Sequence, residues 1–371
     1  MGFQSVRKTT TSLLSIALIA GLITACGSTA GNTAGNNAKS GAEGQQPSAG
    51  LKSNISIATT PIGSSINSTG SGLASVISQN SQVKISVKPF AGVPAWGPLL
   101  DKGEIDLGFA TLPEEAWAYQ GVNGFESIKN ERLLVRGNFI EVTGPVVRKD
   151  SKINSVADLK GKRVASDYPA AATARVIMEA ILEANNLSYN DVKKVPIPTS
   201  VGGIEAIRDN RLDAAFMMTP TTPVIMETHN AVGIKALNFI DNLKADPADV
   251  KKVPKEVTDK ISAHLPGGQL AVVKAEGFIT EPTVGVQYPT ALVASSKLSD
   301  ETAYEVVKTL WANYEKLHPI HLWLSTWTPE IMFDPTPSLP YHPGAVKFFK
   351  EKGLWNDNVE KIQQELLKSA K

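Results

Sequence analysis

The sequence predicts an α/β protein built from two similar halves, and three observations carry that prediction. Strand-like and helix-like runs alternate along most of the chain, which implies parallel pairing and covered sheets. Two blocks recur at one offset of 107 residues: Ile57–Gln79 (IATTPIGSSINSTGSGLASVISQ) matches Val164–Asn186 (VASDYPAAATARVIMEAILEANN) in pattern, and Leu99–Pro113 matches Ala206–Pro220. Within them Asp106 falls on Asp213, Phe109 on Phe216 and Pro113 on Pro220. Finally, the region from Leu51 to Lys371 exceeds what one hydrophobic core holds, since single cores stop growing at roughly 250–300 residues.

The elements follow in chain order. Arg7 and Lys8 precede an apolar run, Leu13–Ile23, that is too short for a bilayer span of about 20 residues and reads as a signal segment. It ends in Ile23-Thr24-Ala25-Cys26, which resembles a bacterial lipobox, so residues 1–25 are expected to be removed and Cys26 to carry lipid. Cys26 is the single cysteine, which excludes an internal disulfide and any cysteine metal cluster. Residues 26–50 are the lipidated cysteine and a tether: Gly27–Gly50 has no aliphatic residue larger than Ala and cannot bury a core.

In Asn54–Thr60 the inward alternation of Ile55 and Ile57 predicts a strand, and a helix follows through Leu73, Val76 and Ile77. Val83–Lys88 repeats the strand alternation. Pro94–Lys102 reads as a short helix ended by Gly103, and Ile105–Ala110 as a buried strand. The second copy supplies a helix over Gly203–Asp209, a stop at Asn210 and a strand over Leu212–Met217. Between the copies, Ser155 with Asp158 three residues on forms a capping box for a single turn closed by Gly161. Ser299 caps a helix whose apolar face is Ala303, Val306, Val307, Leu310, Trp311 and Tyr314, with Asp300 and Glu301 suited to its dipole. Extended runs near Thr143–Arg148 and Thr283–Ala294 are the natural crossovers, giving one lobe from residues 51–143 plus 286–371 and another from 144–285. The tail is expected to pack back on the first lobe.

Charge excludes whole classes of partner. The formal net charge of +1 becomes −1 without Arg7 and Lys8, and no basic stripe appears, so nucleic acid is not a partner. His318, His321 and His342 lack a carboxylate or cysteine at ligand spacing and read as structural, so neither metal nor cofactor is expected. Neither a Gly-x-Ser-x-Gly elbow nor a phosphate loop is present, which leaves acyl or phosphoryl chemistry without a nucleophile or cradle.

In open α/β sheets, ligands bind beyond the carboxyl ends of strands, where loops enter helices. Ser64, Ser65 and Asn67 stand at the first such loop, Thr111 at the second, Tyr168 with Ala171, Ala172 and Thr173 at the third, and Thr219 with Thr221 at the fourth. Helix-start N–H groups there favour an anion, particularly a carboxylate, and with no Arg or Lys in these loops the donors are neutral. Each Ser or Thr serves equally as a plain cap. Trp96 is a wall of the cleft or a core filler, and Tyr168 shares that choice with the cleft favoured.

Six segments in order, ATTPIGSSINSTGSGLA, GEIDLGFA, DLKGKRVAS, RLDAAFMMTPTTPVI, PTVGVQYPTALVASSKLSDETAYEVVKTLW and HPGAVKFFKEKGLW, resemble the TAXI family of solute-binding proteins of tripartite ATP-independent periplasmic transporters. That resemblance implies a two-lobed periplasmic-binding fold, type II-like, with a small carboxylate such as glutamate held between lobes. It implies a monomer, without enzymatic activity, that delivers the solute to a membrane permease. The first loop departs from the family's Gly-Gly-Thr-Tyr-Tyr-like run, reading Gly63-Ser64-Ser65-Ile66-Asn67, and the third reads Ala170-Ala171-Ala172-Thr173 in place of Gly-Ser-Gly-Thr. The competing readings are a receptor for an ATP-driven importer, a sensor domain and a surface hydrolase.

Overall fold

The computed structural model describes residues 50–369 except Gly63, Ala170, Met218 and Thr221; Cys26, the signal segment and the tether lie outside the described residues. The first half opens with β1 (Asn54–Thr59), α1 (Ser65–Asn80), β2 (Lys84–Pro89), α2 (Val93–Lys102), β3 (Leu107–Thr111) and α3 (Leu112–Gln120). Each helix start has a local reason. Ser64 caps α1 by accepting from Asn67 N–H at 3.1 Å, and Thr111 caps α3 by accepting from Glu114 N–H at 3.4 Å. Gly103, at φ 77°, ends α2 in the left-handed conformation that glycine adopts without strain.

β4 (Glu131–Thr143) then carries the chain to a second set of elements: β5 (Val146–Arg148), β6 (Arg163–Asp167), α4 (Ala172–Ala184), β7 (Lys193–Ile197), α5 (Ser200–Arg208), α6 (Pro223–Val232), β8 (Ile234–Ala236), α7 (Pro247–Val250), α8 (Lys255–His264) and β9 (Gln269–Val273). β10 (Thr283–Ser295) returns, and α9 (Asp300–Ala312), α10 (Pro329–Met332), α11 (Pro343–Glu351) and α12 (Asp357–Ser369) complete the tail.

The large sheet has the order β2-β1-β3-β10-β4, with β9 also paired to β10. β1 is parallel to β2 and β3, whereas β10 runs antiparallel to β3, β4 and β9, so the sheet is mixed. In the second set β6 pairs with β7 and β5 with β8. Ala214 and Ala215 join these pairs through bridges to Val164 and Val146. The resulting order, β7-β6-(214–215)-β5-β8, repeats that of the first half, with an antiparallel strand beside the central pair. The expected strand over Leu212–Met217 thus contracts to two bridging residues. The helix expected at Gly203 starts three residues earlier, because Thr199 caps it by accepting from Gly202 N–H at 3.0 Å.

The 107-residue offset is written in hydrogen bonds. Asp106 Oδ2 accepts from Ser56 N–H at 2.9 Å, and Asp213 Oδ2 accepts from Arg163 N–H at 2.8 Å. In both halves an aspartate at the base of one strand clamps the strand beside it. Lys52 at 2.6 Å holds the first carboxylate and Arg163 at 2.7 Å the second. The hydrogen bond and charge of Arg163 keep the Asp213 carboxyl below its ordinary range.

The tail packs on the large sheet. Leu133 of β4 donates to Pro340 O at 2.9 Å and accepts from His342 N–H at 2.9 Å, and Tyr119 donates its hydroxyl to Leu366 O at 2.7 Å. His318 and His342 each lie against a backbone carbonyl, Trp327 O at 2.8 Å and Leu298 O at 3.1 Å.

One core feature has no sequence signal. Glu115 of α3 and Glu131 of β4 are both fully buried neighbours, and none of their four carboxyl oxygens has a hydrogen-bond partner among the described residues. Burial raises both, and for Glu115 the neighbouring Glu131 charge raises it further; Glu131 is pushed up to about 8.

Two measurements check these devices. Asp106→Ala and Asp213→Ala should each lower stability by about 1.5–3 kcal/mol in urea unfolding, since a charged hydrogen bond to a strand N–H is removed. A loss within error of zero would dismiss the clamp. Glu131 binds its proton more tightly folded than unfolded, so its contribution is complete below the ordinary value of 4.5 and is lost as pH rises through about 8. Thermal unfolding should give a lower Tm at pH 8.5 than at pH 6, and Glu131→Gln should flatten that slope. An unaltered slope in the variant would assign it to other groups.

Candidate functional site

The carboxyl ends of the two central strand sets feed loops that meet across a polar cleft of about 180 Å³. From the large-sheet half it is lined by Ser65 and Ser68 of α1 and by His321, Leu322 and Trp323 of the tail; from the other half come Thr219, Thr222 and Pro223. Two helix starts therefore point into one space. α1 begins at Ser65, and the cap uses only the Asn67 N–H, so earlier N–H groups of its first turn lack partners within the helix. α6 begins with Pro223 and has no side-chain cap, because Thr222 Oγ1 bonds Thr219 Oγ1 at 2.8 Å instead.

Chemically the lining is hydroxyl, backbone N–H and one aromatic plate. His321 accepts through Nδ1 from Trp323 N–H at 3.2 Å, and burial pushes its ring below the ordinary histidine range, so it stands neutral at pH 7. Neutral donors at two helix starts can hold an acidic group by dipole and hydrogen bond without a counter-charge. A larger groove of about 470 Å³ lies between the end of α4, residues 240–244 and α8. All of its lining residues, from Ala184 to Val257, come from one half.

The sequence-derived candidates fall in different places. Ser65 and Thr219 line the cleft. Ser64, Asn67, Thr111 and Thr173 are not among its lining and are held in polar contacts of their own. Asn67 donates to Thr59 Oγ1 at 2.8 Å, Ser64 and Thr60 hydroxyls are 2.6 Å apart, and Thr111 and Thr173 hydroxyls meet at 3.2 Å between the halves. Ala171 and Ala172 are half-buried at the start of α4, and Thr221 lies outside the described residues.

Trp96 and Tyr168 are corrections: both are fully buried in the core. The Trp96 ring lies on Gly108 of β3, where a Cβ would come within 2.4 Å of it, so the absent side chain makes room for the indole. Tyr168 turns inward at φ 43° and accepts from Phe216 N–H at 3.0 Å; burial raises its hydroxyl. Both aromatics fill space under the loops.

Sequence reasoning missed His321, Leu322 and Trp323, which come from the far end of the chain. It also missed Glu114, half-buried beside Thr111 and Thr173. Burial raises its carboxyl, and the hydrogen bond it accepts from the Thr111 hydroxyl at 3.1 Å partly offsets the rise. Glu114 holds the third position of α3, a place where an acid ordinarily completes a capping box, and that ordinary role hid it.

Tyr168→Phe tests the inward placement. The orphaned Phe216 N–H should cost about 1–3 kcal/mol of stability with retained solute binding. Unchanged stability with lost binding would put the ring in the cleft.

Among solved structures, the chain is similar to the periplasmic aliphatic sulphonate binding protein SsuA from Escherichia coli, at 16% identity over 85% of this chain and 90% of that one, with a TM-score of 0.44. It is similar to PhnD1 from Prochlorococcus marinus MIT 9301, solved with methylphosphonate, at 12% identity over 82% and 99% of the two chains, with a TM-score of 0.49. It is also similar to the amino acid ABC transporter substrate-binding protein AbpA from Streptococcus pneumoniae, bound to L-arginine, at 14% identity over 86% and 96%, with a TM-score of 0.40. The family profile that matches is that of the NMT1-like family, over residues 57–353. This match corrects the motif-based resemblance to the TAXI family. The motifs that carried it are largely strand ends, caps and turns, which any pair of such α/β halves requires, and the loops that would discriminate, around Ile66–Asn67 and Ala171–Ala172, were where it departed. By the match over residues 57–353, the chain belongs to the NMT1-like family.

Proposed function

We propose that this chain is an extracytoplasmic solute receptor that captures a small solute, an organic acid or amino acid, and hands it to an ATP-driven importer. The observation that carries the reading is the convergence of two helix starts, α1 from one half and α6 from the other, on a single hydroxyl-lined cleft. In this reading the lobes are residues 51–143 plus 286–371 and residues 144–285, and Cys26 tethers them by lipid to the membrane surface.

A solute that touches Ser65 and Ser68 on one side and Thr219 and Thr222 on the other gains both sets of contacts only when the lobes are together. Its differential affinity for the closed state shifts the population toward closure. The closed form is then the one that docks on the importer, and no covalent bond changes. The partner class is the one named for AbpA, an ABC transporter. A neighbouring gene for a nucleotide-hydrolysing subunit supports it, and a multi-spanning permease gene without one counts against it.

The experiment is a thermal-shift screen of the protein against organic acids, amino acids and neutral metabolites, followed by titration of any hit. Ser65→Ala and Thr219→Val should each weaken a hit about three- to tenfold, the worth of one neutral hydrogen bond, with Tm of the free protein little changed. Equal affinities in both variants would move the solute out of this cleft. If every compound leaves Tm unmoved while a chromogenic ester is hydrolysed, the receptor reading fails.

A further inference from the structure

The end of the second half away from the cleft carries a charge that its counterpart in the first half does not. The 107-residue offset extends to strand register: Ser56 lies opposite Ser86 in β1 and β2, and Arg163 lies opposite Lys193 in β6 and β7. Along that offset the first half has Ser56, Ser86, Val87, Asp101 and Glu104, and the second has Arg163, Lys193, Lys194, Arg208 and Arg211. One scaffold is thus built with two negative charges in one copy and five positive charges in the other, so folding does not require the basic set. The loop after β5 adds to it. Arg148 and Ser151 line a polar cavity of about 400 Å³ together with Asn210 and Asp213, which places the two segments side by side. Residues 148–163, 188–194 and 208–213 hold ten basic and five acidic side chains, a net charge of +5 in a chain whose total is +1. They come from separate segments, which is why no stripe shows in the sequence.

Arginine and lysine are used differently at this pole. The arginines are paired: Arg148 with Asp150 at 3.2 Å, Arg163 with Asp213 at 2.7 Å, and Arg208 and Arg211 with Asp209 at 3.5 and 3.3 Å. Lys149, Lys152, Lys160, Lys162, Lys193 and Lys194 are exposed, and none makes an ion pair or a side-chain hydrogen bond among the described residues. In the first half, by contrast, the lysines at the starts of the first two strands are engaged, Lys52 on Asp106 at 2.6 Å and Lys84 on Ser81 O at 3.2 Å. Unpaired point charges spread over several loops match many phosphates in a plane, whereas a single anion is better held by a free arginine fork. We propose that this pole rests on an anionic phospholipid bilayer. The choice of partner rests on the receptor reading, which puts the chain outside the cell on a lipid tether, beside a dense layer of headgroup phosphates. Each lysine within a Debye length of that layer adds attraction, and a tethered chain needs only weak affinity to stay down. The cleft lies at the other end of the same strands, and the five residues of β6 span about 16 Å. Resting on this pole holds that side of the cleft away from the bilayer, open to solute.

The test needs no solute. In the full chain with Cys26→Ser, a fluorophore at Asn190→Cys, an exposed position within the pole, reports by energy transfer its distance from an acceptor on lipid headgroups. Transfer is read on the vesicle-bound fraction, so attachment through the apolar segment Leu13–Ile23 leaves the readout intact. It should be high on vesicles of phosphatidylcholine mixed with phosphatidylglycerol, low on phosphatidylcholine alone, and should fall as salt is raised. Replacing Lys152, Lys160, Lys162 and Lys193 together by Gln should lower transfer on the mixed vesicles to the level of the neutral ones. The same change at Lys88, Lys102, Lys347 and Lys368, exposed lysines elsewhere on the molecule, removes equal charge and should leave transfer unchanged. Equal transfer on neutral and mixed vesicles, or equal losses in the two sets of variants, would overturn the proposal. So would parental transfer in the pole variant together with lost solute uptake by cells, which would assign these lysines to an acidic face of the importer. A failed solute screen would instead overturn the receptor reading and leave the vesicle result standing.

Discussion

The rest of the molecule hangs on the pairing of β4 with β10. These 13-residue strands are the two passages of the chain between the halves, and they are hydrogen-bonded to each other from Gly285 opposite Thr143 to Ser295 opposite Glu131. β10 also pairs with β3 and with β9, so the strand that returns the chain completes the large sheet. Two independent linkers would let the halves swivel. A paired ribbon permits bending and twisting along one direction and resists sliding, because sliding breaks a ladder of backbone hydrogen bonds. The register shifts near Pro289 and Leu292 are the places where such a ribbon yields most readily.

On either side of that ribbon the same scaffold is used twice with different endings. The aspartate clamps at Asp106 and Asp213 fix equivalent strands, and equivalent helices follow. What differs is how each helix start is satisfied. Where a serine or threonine side chain bonds the first turn, the start is closed locally, as at α5. Where none does, as at α4 and α6, the first-turn N–H groups have no side-chain cap. The start of α6 opens on the cleft. An otherwise symmetric pair of halves thereby becomes a site with a direction.

Scaffold pieces were legible because their causes are local. Asp158 accepts from Ser155 N–H at 3.0 Å and Ser155 from Asp158 N–H at 3.3 Å, as the capping-box spacing predicts, and Gly103, Asn210 and Ser299 end or begin helices where their types demand. The site was legible only in part. Ser65 and Thr219 were found from their place after strand ends, but Trp96 and Tyr168, at the same kind of place, turn inward. An aromatic beside a loop carries no local signal for which way it faces; that depends on Gly108 in one case and the Phe216 N–H in the other. His321 and Trp323 meet Ser65 across some 250 residues of chain, and Glu115 meets Glu131 only once β4 is in place. Contacts of that kind depend on the tertiary arrangement, which periodicity and capping rules do not reach.

The return of β10 also orders assembly in time. The strands β5 to β8 and the helices among them form a nearly contiguous stretch of chain, whose contacts close short loops. The large sheet, by contrast, cannot be completed until a strand more than 170 residues beyond β3 inserts between β3 and β4. Loop-closure entropy makes that late insertion the slower event. Until it occurs, the facing edges of β3 and β4 lack their common partner, and the tail helices have no finished surface to cover. The half that begins the chain is therefore the half that is finished last.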